Sequence, residues 1–152
     1  MPTDKGMIFI PKVCSPKCLR YFLKNHFVGI TLFNKNKQEH IIPIAKWKNM
    51  NEFINKFRSD YEQVFSDWVI RSGMSCLYEP IIFDSNYVPD FLIGYAETMV
   101  GLFIEVKGTW EAGALPKIQR FAKYLKEYNV PIFVINTHLI NLIKKEKNEK
   151  HI

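Results

Sequence analysis

Apolar residues along this chain change their spacing several times, and each change marks a predicted element. Tyr61, Val64, Phe65, Trp68 and Val69 recur at i, i+3, i+4, i+7 and i+8, one apolar stripe of a helix. Ser59 stands at its predicted start and Ser72-Gly73 at its end. Cys76 to Phe83, Tyr87 to Ile93 and Val100 to Val106 follow as three β-prone runs. Pro116 then opens a second helical pattern that carries Ile118, Phe121, Ala122 and Leu125 inward. Val130 to Asn136 predicts a buried, β-branched strand, and Thr137 is placed to cap a last helix. The predicted order is α-β-β-β-α-β-α, an α/β fold with a mixed sheet between helices.

The first 57 residues are less regular. Met7 to Ile10 predicts a short strand, and Ser15-Pro16 starts a helix that should run to Asn25. Two apolar runs, Phe27 to Phe33 and Gln38 to Ile44, flank Asn34-Lys35-Asn36-Lys37 and predict a hairpin. Met50, Phe53, Ile54 and Phe57 return to helical spacing. The expected organisation is an α/β appendage over residues 1–57, serving DNA contact or dimerisation, then a core over 58–143 and a basic tail over 144–152.

Composition narrows the class. With 152 residues, 47% of them hydrophobic, the chain can bury one core. No run reaches the roughly 18 apolar residues needed to cross a bilayer, and the first residues lack a signal-peptide pattern. Three cysteines in no framework spacing predict reduced thiols and an intracellular setting. The net charge of +6 is uneven: residues 1–57 sum to +7, residues 58–106 to −6 and residues 107–152 to +5. An acidic centre between basic flanks suits an enzyme that binds cations and acts on a polyanion, although ordinary surface clustering gives the same sums.

The acidic centre holds the candidate chemistry. Asp90 follows Pro89 inside a predicted strand, where aspartate is disfavoured. Glu105 and Lys107 are two apart on the next strand and share one face, with Ile104 and Val106 on the other. Two adjacent strands that each break pattern with a charge suggest a common site; an ion pair on a solvated face is the alternative. Glu62 has two readings as well. It completes a capping box with Ser59, or it reaches from the helix to the sheet bearing Asp90 and Glu105. Oxygen ligands with no His or Cys beside them suit Mg²⁺, with Mn²⁺ as a substitute. Lys107 would then stand by the nucleophile or the scissile phosphate.

Glu62, Pro89-Asp90 and Glu105-x-Lys107 resemble the PD-(D/E)xK nuclease pattern. Phe57-Arg58-Ser59-x-x-Glu62, Tyr78-Glu79, Pro89-Asp90-Phe91 and Phe103-x-Glu105-x-Lys107-Gly108-x-Trp110-Glu111 are similar to the phage endonuclease I type of Holliday-junction resolvase. The likeness covers residues 57–111. It implies a restriction-endonuclease-like core and a Mg²⁺-dependent DNA endonuclease that hydrolyses phosphodiesters, selective for branched DNA. Its catalytic set would be Glu62, Asp90, Glu105 and Lys107, and the Val106 carbonyl would join the metal shell of Asp90, Glu105 and Glu62. A homodimer and a phage or mobile-element origin fit the same resemblance. The fold also serves homing, restriction and transposon-end nucleases, and a non-catalytic DNA-binding subunit is the reading from another class.

Lesser signals complete the set. Lys117, Arg120 and Lys123 recur along the helix after the motif, either as a solvated face or as phosphate contacts. Gln119 lies near the place of a site glutamine in some relatives of that family. Cys14, Cys18 and His26 are loosely spaced like metal ligands, but lack a fourth, which favours simple thiols. His40 and His138 have no evident partner in the sequence.

Overall fold

A computed structural model describes residues 6–32, 42–44, 59–80, 82, 87–108, 113–127 and 130–149. The strands are β1 (Ile8–Phe9), β2 (Val28–Leu32), β3 (Ile42–Ile44), β4 (Ser75–Tyr78), β5 (Phe91–Tyr95), β6 (Val100–Lys107) and β7 (Ile132–Asn136). The helices are α1 (Pro16–Lys24), α2 (Asp60–Arg71), α3 (Ala114–Lys126) and α4 (Thr137–Glu149). The fold is α/β, with a mixed sheet flanked by helices.

β6 organises the sheet. One of its edges pairs antiparallel with β5, Phe91 opposite Ile104 and Tyr95 opposite Val100. Its other edge is shared: β7 runs parallel along Ile104 to Lys107, and β2 runs antiparallel along Val100 and Gly101. β4 extends the meander beyond β5, and β1 pairs parallel with β7. A parallel β6–β7 pair requires a crossover, and α3 supplies it.

Alternation along these strands divides the core into two layers. Phe91, Ile93, Ile104 and Val106 face α1, α2 and α4, among Leu19, Phe65, Trp68 and Leu139. Leu92, Phe103 and Ile132 face α3, among Ile118, Phe121 and Leu125. Phe65, Trp68 and Phe121 are essentially fully buried. Arg20 ties the first layer together: its guanidinium lies over the Trp68 ring at 5.3 Å, donates to Ser72 Oγ at 2.6 Å and pairs with Glu146 of α4.

The tight β5–β6 hairpin depends on glycine. Gly94 has φ +149°, and a Cβ there would lie 2.0 Å from the Val100 carbonyl oxygen. No other residue fits that approach.

Several predicted elements change on folding. β1, α1 and β2 enter the same sheet and core as β5 to β7, so the described part of the expected appendage is integrated with the core; the boundary at residue 57 lies outside the described residues. β2 and β3 pair parallel, Ile30 opposite Ile42, which excludes the predicted hairpin, because a tight turn joins only antiparallel strands. The turn at Asn34 to Lys37, His40, the helical stripe from Met50 to Phe57, and Trp110-Glu111 also lie outside the described residues. α3 begins at Ala114 after an αL Gly113, two residues before Pro116. The Asn136 side chain, rather than Thr137, caps α4, accepting from the Leu139 N–H at 3.1 Å. α4 continues to Glu149, through most of the expected basic tail. Among the described residues no helix is long and apolar enough to cross a membrane.

Candidate active site

The site lies where β5 begins and β6 ends. Asp90 precedes β5 instead of standing inside a strand. The reason is Pro89, which has no N–H to give to the ladder. The Val106 N–H donates to Asp90 Oδ2 at 2.8 Å, so a side chain and not the backbone accepts from this end of β6. The Asp90 N–H in turn donates to Glu105 Oε1 at 3.2 Å. A Pro-Asp pair opposite a glutamate thus closes the sheet and brings two carboxylates together.

Lys107 shares the Glu105 face, as β alternation requires. Its Nζ stands 3.9 Å from Glu105 Oε2 and its side chain is 26% exposed, whereas Glu105 is 1% exposed and Asp90 6%. Gly108 follows because the Tyr61 ring fills its side-chain space; a Cβ would come within 2.7 Å of that ring. This contact seats the start of α2 against the end of β6. Glu62, the next residue, is thereby brought close enough for its charge to act on Asp90.

Both readings of Glu62 have a counterpart in its two oxygens. Ser59 Oγ accepts from the Glu62 N–H at 3.3 Å and donates to Glu62 Oε1 at 3.2 Å, the capping arrangement with the hydroxyl standing in for the Ser59 N–H. Glu62 Oε2 is buried with no hydrogen-bond partner among the described residues, and the residue is 5% exposed. An unmet carboxylate oxygen costs more than most buried groups.

The electrostatics follow from crowding. Burial pushes the Glu105 carboxyl up to about 8, the Asp90 charge adds to this, and the Tyr87 hydrogen bond and Lys107 oppose it. Asp90 is also raised, first by burial and then by the Glu62 charge, against the pull of the Val106 N–H. Asp90 and Glu105 share one ammonium, Lys107, with the Glu62 charge also acting on Asp90, which leaves negative charge uncompensated. With its carboxyl pushed up to about 8, Glu105 retains a proton near neutral pH, which relieves part of that charge.

Other predicted residues lie apart from this cluster or at its margin. Lys117, Arg120 and Lys123 are exposed on α3, and Gln119 is half-buried beside them. Cys14 and Cys18 are free, exposed thiols that line a groove of about 680 Å³ with Asn136 and His138. His26 is not with them: its Nδ1 meets the Phe22 carbonyl at 2.7 Å, and its ring packs on Phe133. Among the described residues no group of three His, Cys, Asp or Glu side chains is arranged to hold a metal ion by itself.

Sequence reasoning missed Tyr87. Its hydroxyl donates to Glu105 Oε1 at 2.5 Å, and its ring stacks on Phe121 at 5.0 Å. No spacing rule points from residue 87 to residue 105, because the contact crosses the sheet end. No protein-family model, curated protein or solved structure matches the chain.

Proposed function

We propose that this chain is a metal-dependent DNA endonuclease with a restriction-endonuclease-like core, hydrolysing phosphodiesters at Asp90, Glu105 and Lys107. The observation that carries this reading is the buried contact between Asp90 and Glu105, with Lys107 on the same face. Burying two carboxylates together is costly and gives no packing benefit, so a compensating cation is the economical explanation. The element order α2-β4-β5-β6-α3-β7, with β4 to β6 antiparallel and β7 parallel, agrees with such a core.

The residues fit a hard divalent ion. All candidate donors are oxygens, and Glu62 Oε2 is a buried oxygen in want of a partner. Mg²⁺ is commonly held by one or two carboxylates while keeping several waters, so a cage of three protein donors is not required. Asp90 and Glu105 would hold it, with the Val106 carbonyl and Glu62 completing the shell. When bound, the ion supplies Lewis-acid polarisation and a more acidic water.

The chain's own groups do the remainder. Glu105, whose carboxyl is pushed up to about 8, would give up its proton to hold the cation, which makes occupancy favour higher pH. Lys107 stays beside Glu105 Oε2 and sets a positive charge where the phosphate oxygens gain negative charge. A water oxygen bonds to phosphorus and releases its proton to solvent, the bridging P–O bond breaks, and the leaving oxygen takes a proton from solvent. The exposed Lys117, Arg120 and Lys123 of α3 contact flanking phosphates. Selectivity for four-way junctions and homodimerisation belong to this proposal through the motif resemblance alone.

The test is cleavage of supercoiled plasmid and of four-way junction DNA, with Mg²⁺ and with EDTA, by wild type, Asp90→Asn and Lys107→Ala. Metal-dependent nicking lost in both variants supports the reading. Full activity in either variant, or none in the wild type on any DNA, sinks it. A second reading is a non-catalytic DNA-binding subunit that keeps the fold. DNA binding without cleavage would select it.

A further inference from the structure

Each carboxylate of the site has an oxygen tethered to the fold, and the Asp90 and Glu105 side chains also hydrogen-bond to each other. Asp90 Oδ2 takes the Val106 N–H, Glu62 Oε1 takes the Ser59 hydroxyl, and Glu105 Oε1 takes two donors, the Asp90 N–H and the Tyr87 hydroxyl. Of these donors, the Tyr87 hydroxyl is the only one set by a tertiary aromatic stack. The Tyr87 ring lies on Phe121 of α3 at 5.0 Å and 26°, and Phe121 lies on Tyr124 at 6.0 Å and 11°.

We infer that Tyr87 is a positioning residue of the nuclease site: through its hydroxyl and the Phe121 stack, α3 fixes Glu105 so that Oε2 alone faces Lys107 and the cation. This rests on the nuclease reading above. The physical need is clear from glutamate itself. Its terminal torsion is broad and nearly two-fold, so a carboxylate held at only one point samples many orientations. Two donors on Oε1, at 2.5 Å and 3.2 Å, leave one orientation, and an O–H donor to a charged oxygen is among the stronger hydrogen bonds. The Asp90 N–H alone cannot do this, because it belongs to the backbone beside the other ligand and lies at the longer distance. The Tyr87 hydroxyl comes from the α3 layer that also holds Phe103, the face of β6 that carries Glu105. Partners of this kind tune metal ligands without touching the metal.

The consequence reaches α3. Its inner face carries Phe121, while Lys117, Arg120 and Lys123 lie exposed on the same helix. The helix that offers cations to a polyanion is therefore the helix that orients Glu105.

Tyr87→Phe in the full chain separates this from a packing role, because the ring stack survives and only the hydroxyl goes. Two readouts are taken: Mn²⁺ binding followed by loss of the free-ion paramagnetic resonance signal, and cleavage rate against Mg²⁺ concentration. The expected result is about 10- to 100-fold weaker Mn²⁺ binding, a matching rise in the Mg²⁺ needed for half-maximal rate, and recovery of the rate at saturating metal. DNA binding in EDTA stays near wild type, and the thermal midpoint falls only by the loss of one buried hydrogen bond. Phe121→Leu, which keeps the hydroxyl but loosens the stack, should shift metal binding in the same direction by less. Tyr87→Phe with wild-type Mn²⁺ binding and Mg²⁺ response overturns the inference and leaves the nuclease reading standing. A wild type that neither binds Mn²⁺ nor cleaves overturns both.

Discussion

Replacing Glu105 by Gln tests the charge cluster without any assumption about DNA. The glutamine keeps an amide oxygen for Tyr87 and the Asp90 N–H but cannot ionise. In the wild type the Glu105 carboxyl is pushed up to about 8 from an ordinary 4.5, chiefly by burial and next by the Asp90 charge. A folded-state pKa above the unfolded one means the native chain holds a proton that the unfolded chain has already released. That stabilisation is complete below about pH 4.5 and is lost as pH rises to about 8. At about 1.4 kcal/mol per pH unit, the interval corresponds to a ceiling of roughly 5 kcal/mol. Urea unfolding in EDTA, run from about pH 5 to about pH 9, should show wild-type stability falling by roughly 2 to 5 kcal/mol more than that of the Gln variant. Mg²⁺ should then restore the wild type at the alkaline end and leave the variant unchanged, because a ligand stabilises only the state that binds it. Parallel pH profiles for the two proteins would refute the buried charge cluster. A wild type indifferent to Mg²⁺ at high pH would refute the cation site.

Three further outcomes follow from individual contacts. Asp90→Ala leaves the Val106 N–H without its acceptor and should cost about 1 to 3 kcal/mol, partly offset by relief of the carboxylate crowding; Asp90→Asn should retain the bond, so chemical denaturation ought to rank Asn above Ala while both fail to cleave. Gly94→Ala drives a Cβ to 2.0 Å from the Val100 carbonyl oxygen, so its thermal midpoint should collapse, by at least about 3 kcal/mol in stability, and an unchanged midpoint would mean the hairpin is built differently. Charge reversal at Arg120 and Lys123 should leave the midpoint alone yet weaken DNA binding and flatten its dependence on salt; an unaltered salt slope would assign that face to solvent.

Local pattern carried much of the fold. The stripe from Tyr61 to Val69 became α2 because 3.6-residue periodicity needs no knowledge of the partner surface, and Phe65, Trp68 and Val69 are fully buried. The β4 to β7 region was legible for the same reason. The β2–β3 relation was not: two β-prone runs around polar residues suggest a hairpin, and only long-range pairing makes them parallel. The position of Asp90 was misjudged by propensity, since Pro89 has no N–H for the ladder and the Val106 N–H donates to the Asp90 side chain instead of to backbone.

The same division holds for the site. By itself the sequence determined that Glu105 and Lys107 share a face, that a proline directly precedes Asp90, and that Glu62 sits three residues into a capped helix. Those are one-dimensional facts, fixed by strand alternation and helix start signals. Only the tertiary structure decided that Asp90 meets Glu105, that Tyr61 against Gly108 brings Glu62 within electrostatic reach, and that the Tyr87 hydroxyl, stacked on Phe121 of α3, reaches Glu105. Each of those joins residues far apart in sequence or across a layer. Their energies come from burial and proximity, which do not exist until the sheet has closed.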